Sequence, residues 1–117
     1  MEFVEEFSSL IKMLRFFVRT KNFSYIDRIG NALTYEPVEV AIKDALRDFQ
    51  SIHNSAKIED GRKVIYDKQT NKPIYLPNIP DSEEVENFLK KVKEDMSYAR
   101  KLAIFALTIP QTFGGDE

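Results

Sequence analysis

Apolar residues recur every three or four positions through most of the chain, and this spacing predicts helices. The first repeat covers residues 2–20 and predicts a helix with a broad buried stripe. A second, short helix is predicted at 24–33, and a third, which begins at a proline, at 37–53. Three helices are therefore expected in the first half of the chain.

Gly30 interrupts the apolar repeat of the second predicted helix. A glycine inside a helix costs roughly 1 kcal/mol relative to alanine, so a local need for it is expected. One explanation is the close approach of another backbone or a ligand, and the other is a bend between two helical pieces. We expect Gly30 to let neighbouring helices approach closely.

The second half of the chain shows a strand pattern followed by a helical pattern. Residues 63–66 and 73–76 predict two short strands, which form a β-hairpin inserted at about 62–77. A long fourth helix is predicted at 81–109 and is stopped by Pro110. The predicted fold is mainly α, a bundle of about four helices with a small β-hairpin, in a single domain at 1–110. The tail at 111–117 is predicted to be disordered.

The end of the fourth predicted helix, residues 102–109, is apolar nearly all round. On a helical projection Ile104 and Phe105 point away from the stripe that the rest of this helix presents. This pattern favours a protein interface at Ile104 and Phe105. The alternative, a central helix wrapped by the domain's own core, stays open.

Charge is unevenly distributed along this chain of 117 residues, whose formal net charge is −2. That value argues against a free-standing nucleic-acid binder, because such domains are usually strongly basic. However, residues 7–26 contain no acidic residue, although four cations lie among them. Three of these four fall within about 60° on one face of the first predicted helix.

These cations are the main candidate site, because spaced cations on a rigid helix can follow phosphates. Phe16 is predicted to project beside them, away from the apolar stripe, where it could stack with a base or pack against a neighbouring protein. A second, more dilute basic stripe runs along the fourth predicted helix. The alternative for both stripes is a solvated helix face. The predicted nucleic-acid contacts are Lys12, Arg15, Arg19, Lys21, Arg28, Lys90, Lys93, Arg100 and Lys101.

Catalytic and metal chemistry find little support in the sequence. Cysteine is absent, His53 is the only histidine, and no glycine-rich loop is present to hold a phosphate. Asp44 and Asp48 lie one helical turn apart, but two carboxylates without a third ligand are a weak metal signal. We therefore expect no enzyme, no cofactor and no metal site. An enzymatic alternative would have to use His53 with these two aspartates.

Two further observations concern location. The N-terminus is acidic where a signal peptide would be basic, and no apolar run approaches the roughly 20 residues of a membrane span. These features predict a cytoplasmic protein that does not associate with membranes.

Two packing segments carry a resemblance to a known family. Residues 22–33, Asn-Phe-Ser-Tyr-Ile-Asp-Arg-Ile-Gly-Asn-Ala-Leu, are followed by the helix that begins with proline and by Ala-Ile-Phe-Ala-Leu-Thr-Ile-Pro at 103–110. This arrangement resembles the small subunit of archaeal type I-A CRISPR surveillance complexes, which are Cascade-type effectors. The resemblance covers most of the chain, but it includes little of the predicted hairpin.

The resemblance implies a noncatalytic, mainly helical subunit that lines up in several copies in an RNA-guided complex. It further implies contacts with the backbone and large subunits of that complex, with further copies of itself, and with guide RNA and target DNA. Such a subunit helps to stabilise the guide–target duplex and the displaced strand, while a separate enzyme cleaves. The resemblance assigns no residue roles, so the site residues above depend on the basic stripes. The alternative is a helical protein-interaction module that uses residues 102–109 and binds no nucleic acid.

Overall fold

The computed structural model describes residues 2–108, which form six helices and a three-stranded antiparallel sheet. The mainly helical class is confirmed, whereas the predicted count of about four helices is wrong. The predicted tail at 111–117 lies outside the described residues. In chain order the elements are α1 (Glu2–Glu6), α2 (Ser8–Arg19), α3 (Ser24–Gly30), α4 (Tyr35–Ser55), β1 (Lys57–Glu59), β2 (Arg62–Tyr66), β3 (Pro73–Tyr75), α5 (Ser82–Glu94) and α6 (Ser97–Leu107).

Two interruptions raise the helix count. Phe7 separates α1 from α2 with φ −119° and ψ 30°, and its fully buried ring packs edge-on against the rings of Phe3 and Phe88. Asp95 ends α5 in an extended conformation, with φ −154° and ψ 107°. Its Oδ1 accepts a hydrogen bond from the Ser97 N–H at 2.9 Å, so it also begins the turn into α6.

Helix α2 lies at the centre of the helical body and packs against α5 and α6. Its burial extends well beyond a single stripe, because α4 covers a further side through Phe49. The buried side chains of α2 are Leu10, Ile11, Met13, Leu14, Arg15, Phe16 and Phe17. Since α2 is covered from several directions, only a narrow part of its surface remains open to solvent.

Gly30 ends α3 where this helix crosses α6. A Cβ atom built on Gly30 would lie 3.2 Å from the Cβ of Ala103, closer than ordinary van der Waals contact. The prediction that Gly30 permits a close helix approach is therefore confirmed. Because α3 ends there, Leu33 lies beyond the helix and is 88% exposed, although the predicted helix extended to residue 33.

The sheet has the order β1-β2-β3, and the predicted hairpin corresponds to β2 and β3. Strand β1 was missed. It joins β2 through a two-residue turn in which Asp60 and Gly61 both have positive φ, 54° and 75°. This Asp-Gly pair is a strong hairpin signal, so the sequence did contain the information. Within residues 2–108, no helix has the length and apolar character that crossing a membrane requires.

Candidate nucleic-acid interface

A side chain from another helix caps the N-terminus of α2. Phe7 precedes this helix and has no polar side chain, but Oε2 of Glu84 on α5 accepts the Leu10 N–H at 2.9 Å. Asp81 caps α5 itself by accepting the Glu84 N–H at 2.8 Å. Burial raises the pKa of Glu84, although hydrogen bonds from Leu10 and Ser9 oppose that shift.

The C-terminus of α2 ends in a Schellman motif. The Lys21 N–H donates to the Val18 carbonyl at 3.0 Å, and the Asn22 N–H donates to the Phe17 carbonyl at 2.8 Å. Lys21 occupies the left-handed position of the motif, with φ 68°, where glycine is usual. Both ends of the helix that carries the predicted basic stripe are therefore fixed by hydrogen bonds.

A cleft of about 660 Å³ lies between α2 and the sheet. Helix α2 contributes Lys12, Arg15 and Arg19, and the sheet contributes Arg62 and Lys63 from β2. Within the part of the chain that the structure describes, the residues lining this cleft include five cations and no aspartate or glutamate. We call it the basic cleft. Its concave, cationic surface is suited to a polyanion, because low-dielectric walls focus the field of the charges they hold.

The sheet is held beside α2 through the end of α4. His53 Nε2 is 2.8 Å from the Pro77 carbonyl oxygen, and Lys63 Nζ donates to the carbonyl of the same histidine. The turn after β2 reaches the other end of the cleft. Backbone N–H groups of Gln69 and Thr70 lower the pKa of Asp67, and the nearby charges of Lys21 and Arg19 lower it further.

Sequence reasoning missed the residues that the sheet contributes. Arg62 lies over the Tyr75 ring, with its Cζ atom 3.9 Å from the ring centroid, and both residues line the cleft. Lys63 and His53 also line it. The predicted hairpin contains two tyrosines among several cations, and this was the available signal. This signal could not identify a site from the sequence alone, because the sequence does not show that the hairpin packs beside α2.

Arg15 lies in the wall of the basic cleft rather than on an open helix face. It is 3% exposed, and its Nη2 donates to the carbonyls of Phe105 at 3.1 Å and Thr108 at 2.9 Å. The predicted exposed position is wrong, because the C-terminal end of α6 covers this side of α2. A cation beside the last carbonyls of a helix also interacts favourably with the helix dipole.

Phe16 is a core residue, so its predicted projection away from the apolar stripe is wrong. It is 3% exposed, and its ring centroid lies 5.7 Å from that of Phe17 and 5.3 Å from that of Phe49. The physical reason is that α4 packs on the side of α2 that the projection left open. Phe16 forms part of the floor of the cleft but offers no open face for stacking.

The remaining predicted nucleic-acid contacts lie outside the lining of the cleft. Arg28 on α3 forms a salt bridge of 2.8 Å with Asp44 on α4, and this hydrogen bond is the main reason that the pKa of Asp44 is lowered. Lys21 lies beside the cleft, near Asp67. The exposed cations on α5 and α6 are Lys90, Lys93, Arg100 and Lys101.

The two residues predicted to form a protein interface differ in their surroundings. Ile104 is 61% exposed on α6, as an interface residue in an isolated chain would be. Phe105 is half-buried, and its ring stacks on that of Phe3 with 5.4 Å between centroids. Phe105 therefore packs against this domain's own core, whereas Ile104 remains open to a partner.

The residues of the enzymatic alternative have structural partners. Asp44 binds Arg28 and Arg47, and Asp48 accepts a hydrogen bond from the Tyr25 hydroxyl. His53 lines the cleft, whereas the two aspartates do not. Across residues 2–108, no group of three or more His, Asp or Glu side chains is placed to hold a metal ion.

Comparison with protein-family models gives a match over most of the chain. A family model described as CRISPR-associated protein (Cas_Csa5) matches residues 13–109, which is more than four-fifths of the chain. The matched segment includes every cationic residue of the basic cleft except Lys12. No curated protein matches the chain.

Proposed function

The chain belongs to the Cas_Csa5 family of CRISPR-associated proteins, and from this premise we propose that it is a noncatalytic small subunit of an RNA-guided interference complex of type I-A. In that role it stabilises the guide RNA–target DNA duplex or the displaced strand. Its proposed partners are the backbone and large subunits, guide RNA, target DNA and further copies of itself. The proposed location is the cytoplasm.

The observation that carries this proposal is the basic cleft. Its described lining carries five cations and no aspartate or glutamate, and a polyanion that binds several cations gains free energy from counterion release. In RNA-guided recognition base pairing reads the sequence, so protein contacts need only address backbone charge and strand path. A noncatalytic subunit is suited to such backbone contacts.

Different cations of the cleft have different proposed roles. Lys12, Arg19 and Arg62 contact phosphates, because they are exposed or half-buried and reach the cleft from both walls. Arg15 adds charge from the wall while it holds the end of α6. Lys21 contacts phosphate beside the cleft, and its strained backbone position supports a role for its side chain.

The net charge of −2 sets an expectation for affinity. A single copy should bind nucleic acid weakly, in the range of about 10⁻⁴ to 10⁻⁶ M that is typical of non-specific contacts. Several copies that align their clefts would bind much more tightly through effective concentration. Lys90, Lys93, Arg100 and Lys101 are proposed to add longer-range attraction, whereas the salt bridge of Arg28 with Asp44 limits its contribution.

A second candidate function is a protein-interaction module without nucleic acid. Large apolar side chains on the surface favour it, since Ile104 is 61% and Leu107 51% exposed on α6. Leu33, after α3, is 88% exposed. These side chains also fit the first proposal, in which the subunit contacts other proteins, so they do not displace it.

Purification of the native assembly separates the two candidates. The first proposal predicts that small RNA accompanies the chain, and an RNA-free homo-oligomer would favour the second. Within the assembled complex, Lys12→Ala with Arg19→Ala should weaken target-DNA binding and flatten its salt dependence by about 0.7 to 0.9 units of slope per lost contact. Unchanged affinity and slope in this variant would contradict a phosphate-binding cleft.

A further inference from the structure

Arg62 and Tyr75 form a stacked pair at the sheet wall of the basic cleft. We propose that an unpaired base joins this stack, so that the cleft selects single-stranded nucleic acid over a closed duplex. The inference rests on the proposed function and narrows it. Phosphates would bind to α2 across the cleft, while the base turns toward the sheet.

The register of β2 and β3 brings Arg62 and Tyr75 together. Tyr75 on β3 is opposite Val64 on β2, and Arg62 precedes Val64 by two residues. Arg62 and Tyr75 are therefore diagonal neighbours on the same face of the sheet, within reach of each other. Their separation, 3.9 Å from the Arg62 Cζ atom to the ring centroid, is that of a guanidinium packed on an aromatic face.

The carboxylate opposite Arg62 in the sheet has another hydrogen-bond partner. Glu59 is opposite Arg62 in the register of β1 and β2, but its Oε1 accepts a hydrogen bond from the Tyr66 hydroxyl. That hydrogen bond raises the pKa of Tyr66 and holds the glutamate beside β2. Arg62 instead keeps its planar group on Tyr75, where a further planar group can extend the stack.

The chemistry of the pair indicates the form of nucleic acid. Bases stack on tyrosine rings and on guanidinium planes whatever their sequence, which suits a subunit that leaves sequence reading to base pairing. A base inside a duplex is already stacked and paired, so it cannot reach the sheet wall. A cationic groove combined with an aromatic surface is the usual arrangement for binding single strands.

Tyr66 provides an internal comparison. Tyr66 and Tyr75 are each 38% exposed and lie on the same face of the sheet. Only Tyr75 lines the cleft, and only Tyr75 has an arginine over its ring. The proposal therefore requires a binding role for Tyr75 and none for Tyr66.

The test compares three probes with the full chain at about 50 mM salt. The probes are an oligothymidine of about 12 nucleotides, an abasic strand of the same length and a duplex of that length, and fluorescence anisotropy gives each dissociation constant. Wild type should bind the thymidine strand between about 5-fold and about 150-fold more tightly than the abasic strand, the range expected for one stacked base.

Substitutions then locate the effect. Tyr75→Leu keeps apolar bulk over Val64 but removes the ring, so it should bring the ratio of the two constants close to one. Tyr75→Phe and the control Tyr66→Leu should keep the wild-type ratio. Arg62→Lys keeps the charge and removes the plane, so it should lower the ratio and leave the salt slope unchanged. This variant preserves the test if Tyr75→Leu fails to fold.

The outcomes distinguish this inference from the proposed function. If Tyr75→Leu and Arg62→Lys keep the wild-type ratio, or if wild type binds duplex as tightly as the thymidine strand, the stacking role is wrong while phosphate binding stands. If wild type binds none of the probes at about 1 mM protein, or if Lys12→Ala with Arg19→Ala changes nothing, the proposed function itself fails.

Discussion

The basic cleft and the outer face of α4 carry the same cationic residue types in opposite surroundings. Near α4, Arg28 and Arg47 each lie 2.8 Å from a carboxylate oxygen of Asp44, and Lys43 lies 3.0 Å from Glu39. The described lining of the cleft contains five cations and no acid. Near α4 each of these three cations lies beside a carboxylate, whereas the described lining of the cleft contributes none.

This difference matters more for binding than for stability. An exposed salt bridge contributes only about 0 to 1 kcal/mol to folding, but it cancels most of the field that a phosphate would meet. The low pKa of Asp44 keeps that carboxylate charged at lower pH than usual, so its two arginines stay neutralised. The α4 face is therefore a natural control for the cleft.

The strongest loss of binding should come from removing three cations of the basic cleft. Lys12→Ala, Arg19→Ala and Arg62→Ala together should weaken single-strand binding on the order of 100-fold at about 50 mM salt, because about three counterion-releasing contacts are lost. A salt titration by fluorescence anisotropy measures both the affinity and its slope, which should fall by about 2 units.

The matched variant removes Arg28, Lys43 and Arg47, with the same change in net charge. It should lower affinity only slightly and leave the slope close to the wild-type value, because these cations already have carboxylate partners. Equal losses in the two triple variants would show that overall charge, rather than the cleft, determines binding.

A smaller effect separates the cleft cations from one another. Arg15→Ala should destabilise the protein by about 1.5 to 3 kcal/mol, because it removes charge-assisted hydrogen bonds to the end of α6. Lys12→Ala should change stability by less than about 0.5 kcal/mol, as expected for an exposed side chain. Urea denaturation measures both, and similar values would contradict the structural role of Arg15.

The smallest effect concerns the cap that Glu84 on α5 provides for the N-terminus of α2. Glu84→Ala should cost about 0.5 to 2 kcal/mol, since the Leu10 N–H loses its acceptor. Glu84→Gln retains an acceptor oxygen without the charge and should cost less. Thermal denaturation of the three proteins measures this order. If Glu84→Ala were as stable as wild type, the cap would make no contribution to stability.

The pH dependence of this cap has a definite sign. The pKa of Glu84 is higher in the folded protein than its ordinary 4.5, so the folded state binds a proton more tightly than the unfolded chain. Relative to Glu84→Gln, wild type should be most stable below about pH 4.5 and should lose that advantage as the pH rises through the raised pKa. An advantage that grows with pH would contradict burial as the dominant cause.

The local apolar pattern predicted most helices. It failed where contacts between residues far apart in the sequence determine the backbone conformation. The apolar repeat gave α4 to within two residues, as 37–53 against Tyr35–Ser55. The break at Phe7 has no glycine or proline, and it accompanies the packing of that ring against Phe88, far along the chain. Asp95 followed by Ser97 did give a local signal, because a short acidic side chain can cap the turn that ends a helix.

The candidate site was only half predictable for the same reason. The acid-free run along α2 is visible in the sequence, but a helical projection gives the direction of a side chain and not what covers it. Arg15 and Phe16 were therefore misplaced, since α6 and α4 pack over them. The sheet residues joined the site only through long-range docking, such as the contact of His53 with Pro77.

The proposal places nucleic acid in the basic cleft rather than on the surface of α4 formed by Arg28, Lys43 and Arg47. Heteronuclear NMR of the labelled chain, titrated with a short single strand, tests it residue by residue. Binding in the cleft should produce amide shift changes concentrated at residues 9–21, 61–63 and 73–78, with little change around Asp44. Shift changes centred on Arg28, Lys43 and Arg47, with the cleft unaffected, would contradict it.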